Sequence, residues 1–271
     1  MLDRDGCLLA DIAAERSPDA RLRRRQYLAT DAPDTSPSCA VRVAQWLVKL
    51  KLQGQRDTLQ AHDLPLSECG IDVLSQALKW FELPTLPPWL HDIDTLRLFE
   101  GRAARAYFNA WVGHPLRWKA ADSKRVPPHW LIIRERTSPL SSNARHAIDP
   151  TNAISNYAYA LLEGQCIQAL AGAGFDLTCG FLHADKDGRD SLVYDLMEPF
   201  RPHVDNLALS FIERTTFTYG DFVKDSAGQC RLHPQVARAV VAVCRVPQSR
   251  VDTGARALRA LLLDGVTADV L

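Results

Sequence analysis

Residues 180–205 read GFLHADKDGRDSLVYDLMEPFRPHVD. An apolar lead-in, Gly180-Phe181-Leu182, delivers His183 to a polar loop that carries Lys186, Gly188 and Arg189. A helix is expected from about Ser191. Pro202 opens another, with Val204, Leu207, Ala208, Phe211 and Ile212 at helical spacing. On the first of these helices Asp195 and Glu198 stand three apart, so both carboxylates project from one face. An imidazole nitrogen with carboxylate oxygens suits manganese, and tolerates magnesium if water fills the remaining positions. The same residues also suit a surface salt bridge and a structural histidine, and the pattern by itself does not choose between them.

Outward from this segment the chain reads as mainly α. Upstream, Asp149-Pro150 marks a helix start, with Asp as cap and Pro in the first turn. The helix runs over 151–172, turns Ile154, Tyr157, Ala158, Leu161 and Leu162 toward a core, and ends at Gly172 and Gly174. Earlier helices are expected at Val41–Gln60, Ile71–Phe81 and from His91 through Tyr107. The connection LPTLPPW, 83–89, cannot be helical because its prolines lack amide donors. Residues 113–148 read as loop, interrupted by the apolar run WLII. Downstream come a short hairpin over Phe222–Leu232, within 217–232, then helices at Val236–Val246 and Arg256–Leu263. Residues 1–38 contain a strand-like CLLADIA, an arginine cluster, and a linker at 32–38 rich in Pro, Asp and Ser.

Glu100 lies in LRLFEGRAARAYF, beside Phe99 and a row of small residues. A carboxylate in an apolar helix face is costly unless paired or metal-bound. Ala103, Ala104 and Ala106 would let another helix approach, and an ion pair with Arg102 or Arg105 is the simpler alternative.

Composition narrows the class. No stretch approaches the roughly 20 apolar residues of a membrane span. The N-terminus has early acids and no long apolar run, so a secretory leader is not expected. Seven cysteines without a CxxC pair argue against both a zinc ribbon and a disulfide framework, and point to reduced thiols in a cytoplasmic protein. The 32 basic and 32 acidic residues cancel, which is unusual for a protein that binds DNA. The charges are nevertheless clustered: Arg21, Arg23, Arg24 and Arg25 form one group, and Arg117, Lys119, Lys124, Arg125, Arg134 and Arg136 another.

Four blocks, EGRAARAYF, DPTNAISNYAYALL, the segment 180–205 and DFVKDSAGQCRL, resemble in order and spacing the CRISPR-associated endonuclease/integrase of spacer acquisition. The resemblance covers roughly residues 5–245. It implies a helical metal-dependent nuclease/integrase domain over 39–271, preceded at 1–38 by a remnant of the family's N-terminal β-domain and a linker. It implies that Glu100, His183 and Glu198 ligate Mn²⁺ or Mg²⁺, with Asp195 the acidic residue beside them that supports catalysis. Lys186, Arg189 and Arg201 are the phosphate-contact candidates, and Asn152, Asn156 and Tyr157 match further family positions. The implied reaction is attack by a DNA 3′-hydroxyl on a phosphodiester, inserting short foreign DNA into a CRISPR array. Because His183 ligates only when neutral, activity is expected to fall at acid pH. The implied partners are double-stranded DNA and a small ferredoxin-like CRISPR adaptation protein, with no membrane. The short N-terminal part argues against the family-type homodimer. It also leaves open a catalytically weak DNA-binding or assembly subunit, or a mobile-element integrase that shares the domain.

Overall fold

Asp149 and Pro150 begin the central helix as expected. The computed structural model describes residues 19–31, 38–122, 124–135, 147–183 and 185–264. In it α5 spans Pro150–Ala173: the Asp149 carboxylate accepts the Asn152 amide at 2.9 Å, and Gly174, at φ 89°, closes the C-terminal end. Apolar residues occupy most of its circumference, so it is packed on several sides: by α6 (Ser191–Met197), α7 (Arg201–Arg214), α8 (Pro234–Val243) and α9 (Gln248–Asp264).

A second group forms around α2 (Cys39–Ala61), whose Ser38 cap accepts the Val41 amide at 3.3 Å. Its buried stripe, including Val43, Leu47, Leu52 and Leu59, packs against α3 (Ser67–Trp80), α4 (Ile93–Asn109) and α7. Because α7 touches both α2 and α5, it joins the two groups. Among the described residues the architecture is mainly α, as read from the sequence.

Three features differ from expectation. Residues 20–31, inside the segment read as a β-domain remnant and linker, form the helix α1 (Ala20–Asp31), packed on α9 and α2. Leu22, Gln26 and Ala29 recur at helical spacing and are buried, while Arg21, Arg24 and Arg25 face outward. The strand-like CLLADIA lies outside the described residues. Next, α9 begins at Gln248 rather than near Arg256, because Val251 and Ala255 extend its buried face by two turns. Lastly, part of the segment read as loop is built into the core. Strand β1 (Arg117–Trp118) pairs in parallel with β2 (Thr216–Phe217), and Trp118 and Trp130 gather with Phe217 and Phe222. The expected hairpin is present as antiparallel β3 (Phe222–Lys224) and β4 (Cys230–Leu232), turning through Gly228 at φ 78°.

Candidate active site

A cleft of about 870 Å³ opens where α2, α4, α7 and the segment 181–183 meet. Lys51, Glu100, Arg105, His183, Glu198 and Arg201 are among its lining residues. Three of the four residues expected to be catalytic, spread over almost 100 positions, therefore face one space.

The fourth, Asp195, lies directly behind it. Its carboxylate is fully buried and accepts the amides of Phe181, Leu182 and His183 at 2.5, 3.0 and 2.9 Å. Its Oδ1 also accepts His183 Nδ1 at 2.7 Å. A carboxylate only accepts, so Nδ1 carries the proton and, in neutral imidazole, Nε2 presents its lone pair. Both Asp195 oxygens are thus committed to shaping residues 181–183 and orienting the ring. The local backbone requires glycine at 180: a Cβ there would stand 2.7 Å from the His183 carbonyl oxygen and 2.8 Å from Ser191 Cβ. A longer tether comes from α1. Gln26 donates to the carbonyls of Asp176 and Cys179 at 2.7 and 2.8 Å and accepts the Asp176 amide at 3.1 Å, pinning the approach to His183.

Glu198 stands just beyond α6, buried, with Arg201 Nε 3.0 Å from its Oε1. Its Oε2 is ion-paired with Lys51 Nζ, which also lies 2.6 Å from Glu100 Oε1. Burial pushes the Glu198 carboxyl up, but Lys51, Arg201 and His183 outweigh it and hold it at about 2. Burial likewise opposes charge on Lys51, yet the Glu198 and Glu100 carboxylates raise it above the usual lysine range. The Glu100 contact is poorly directed: its Oε1 is buried without a hydrogen bond of good geometry. His183 Nε2 lies 3.9 Å from Glu198 Oε1.

Arg201 is further supported from below. Its guanidinium lies 4.8 Å over the Tyr159 ring, whose hydroxyl donates to buried Asp205, as does Tyr107 at 3.1 Å. Of the other expected phosphate contacts, Lys186 is exposed, and Arg189 is half-buried, with Nε 3.3 Å from Ser191 Oγ. Both belong to the loop following His183 rather than to the cleft wall. Asn152 donates to its own helix cap, Asp149, at 2.6 Å. Neither it nor Asn156 nor Tyr157 is among the lining residues. Arg134 directly precedes Glu135, which lines the cleft, and Arg136 lies outside the described residues.

The residue missed from sequence is Lys51. Its signal was a charged side chain four positions after Leu47 and three after Val48, on the apolar stripe of α2.

The donor set suits a divalent cation on three counts. The Glu100 oxygen lacks a directed partner. The His183 ring is oriented by a carboxylate through its other nitrogen, as metal-ligating histidines are. The separation of Nε2 from Glu198 Oε1 is one that a cation about 2.0–2.1 Å from each atom spans. Among the described residues no three His, Cys, Asp or Glu side chains are placed to hold a metal ion as they stand; the cation between Glu100 and Glu198 is the lysine ammonium.

A family model described as CRISPR associated protein Cas1 matches residues 1–244. The chain belongs to the Cas1 family. A CRISPR-associated endonuclease Cas1 of Rhodospirillum rubrum is 32% identical to it over 253 residues, covering 89% of this chain and 66% of the relative. This Cas1-family chain therefore spans just under two thirds of that relative's length. Among solved structures, a casposase bound to an integration product superposes with a TM-score of 0.71 at 24% identity, over 98% of this chain and 75% of the casposase. A partial Cas6-RT-Cas1–Cas2 complex gives 0.70 at 21% identity, over 100% of this chain and 79% of the other. At these identities the structural likeness shows a shared fold. No described helix is long and apolar enough to cross a membrane.

Proposed function

We propose that the chain is a metal-dependent DNA endonuclease/integrase that inserts short foreign DNA into a CRISPR array. The observation that carries this reading is the convergence of Glu100, His183 and Glu198 on one cleft, with the imidazole held by a buried carboxylate. Glu100, Glu198 and His183 Nε2 would hold Mn²⁺ or Mg²⁺. When bound there, such a cation offsets charge at a phosphodiester under attack and acidifies a coordinated hydroxyl.

The chain's own groups account for the rest. Asp195 acts through His183, keeping the proton on Nδ1 and the ring turned toward Glu198. Arg201, ion-paired with Glu198 and set over the Tyr159 ring, presents a guanidinium at the cleft for a phosphate oxygen. Lys186 and Arg189, on the neighbouring loop, extend the positive lining along the DNA backbone. If water attacks the phosphorus, the P–O3′ bond of the attacked strand breaks and the outcome is a nick. If a DNA 3′-hydroxyl attacks, the same bond breaks, the attacked strand's 3′-oxygen leaves as a hydroxyl, and one strand is joined to another. The helical unit from residue 39 onward is assigned the chemistry, with the cytoplasm as its place. Double-stranded DNA and a small ferredoxin-like adaptation protein are assigned as partners. The casposase carrying its integration product and the Cas1–Cas2 assembly, which share the fold, support that assignment.

A half-site integration assay with labelled DNA, with and without Mn²⁺, tests the proposal. Wild-type protein should yield Mn²⁺-dependent joined or nicked product, and Glu100→Ala should reduce it by at least about 100-fold. A wild-type rate in Glu100→Ala would remove the catalytic reading. Salt-sensitive DNA binding with no product from any preparation would favour an assembly subunit.

A further inference from the structure

We propose that Lys51 is a built-in counter-cation that holds the site together before metal binds and competes with the metal for the Glu100 and Glu198 carboxylates. The inference rests on the metal-dependent reading above and adds to it a residue that sets how tightly the cation is taken up.

Glu100 comes from α4 and Glu198 from the end of α6, two elements that approach only through tertiary packing. Two carboxylates converging in a cleft repel one another unless a positive charge stands between them. Lys51 supplies that charge from a third helix, with its stem buried on the α2 stripe and its Nζ against Glu100 Oε1 and Glu198 Oε2. Arg201 meets Glu198 on the opposite oxygen, Oε1, and makes no ion pair with Glu100. Lys51 is therefore the only described group ion-paired with both carboxylates. Its position is also where a cation shared by them would sit. A divalent ion arriving there meets a like charge, so Nζ must withdraw from at least one oxygen. The poorly directed Glu100 contact is the weaker of the two and is the one expected to yield first. The displaced ammonium remains in the cleft beside the Arg201 guanidinium, where a DNA phosphate is the complementary ligand.

The test measures Mn²⁺ binding directly, by calorimetry or by the electron paramagnetic resonance of free Mn²⁺, with no DNA present. Lys51→Met keeps the stem and removes the charge. It should tighten Mn²⁺ binding by about tenfold or more, the factor that corresponds to about 1.4 kcal/mol. It should also lower the melting temperature of the metal-free protein, while saturating Mn²⁺ restores it. Lys51→Arg, which keeps the charge, guards against loss of fold and should bind Mn²⁺ no more tightly than wild type. Arg105→Met removes a charge from the same cleft at an exposed position without touching either carboxylate, and should change affinity by less than about threefold.

Equal Mn²⁺ affinity in wild type and Lys51→Met would overturn the competition and leave the metal reading intact. Equal tightening in Arg105→Met and Lys51→Met would reduce the effect to bulk charge and also overturn it. Absence of Mn²⁺ binding in every protein would overturn the metal reading itself, and the competition with it.

Discussion

Replacing Asp195 by Asn changes one atom and exposes how the His183 segment is held. Oδ1 accepts two donors, the His183 amide and Nδ1, and Oδ2 accepts two others, the amides of Phe181 and Leu182. An asparagine oxygen can serve one of these pairs, but its amide nitrogen must then face the other pair as donor against donor. Two donors are left without acceptors, or one where the imidazole reverses its tautomer, at about 1–3 kcal/mol each, so the loss should be about 1–6 kcal/mol. For a chain of this size that corresponds to a fall of at least about 2 °C in melting temperature. Urea and thermal unfolding of the metal-free protein measure it. Because the ring loses its orienting acceptor, Mn²⁺ affinity should also fall by about 10–100-fold, the usual cost of removing a histidine's outer partner. A variant within about 0.5 kcal/mol of wild type, with unchanged Mn²⁺ affinity, would refute the assignment of Asp195 as the residue that positions His183.

Further outcomes follow from the same geometry. Glu198 has a folded-state pKa of about 2 against an ordinary 4.5, so its stabilising contribution is complete above pH 4.5 and is lost as pH falls through about 2. Acid unfolding of Glu198→Gln should accordingly show a shallower loss of stability over that interval than wild type. Gly180→Ala should destabilise by about 1–3 kcal/mol and weaken Mn²⁺ binding, since the new Cβ meets the His183 carbonyl and Ser191 rather than a flexible side chain. Among the described cysteines, exposed Cys69 should react with a thiol reagent in the native state, whereas buried Cys230, its thiol pushed up to about 12, should react only on unfolding. Mass spectrometry of the labelled protein reads the order.

Much of this architecture was legible residue by residue. Asp149-Pro150 and Gly174 bound the central helix because caps and φ preferences act over three or four residues. Gly228 turns the hairpin for the same local reason. The approach of Glu100 to His183 and Glu198 followed from resemblance to a family, not from spacing. Periodicity says which face a residue occupies but not which helix will meet it.

What only tertiary structure decided has a common cause: groups far apart in sequence neutralise or displace one another. Asp195 and Glu198 leave one helical turn with the same chemistry, yet one is consumed by backbone amides and the other faces a cleft, because different segments pack against each. Leu22, Gln26 and Ala29 became a helix face only because α9 and the 176–179 turn cover them. Lys51, a charged residue on the apolar stripe of α2, gains a role only when α4 and α6 bring two carboxylates to its ammonium. Local sequence sets backbone conformation through short-range sterics and hydrogen bonds. The charge balance of the cleft is a sum over several elements, and only their packing completes it.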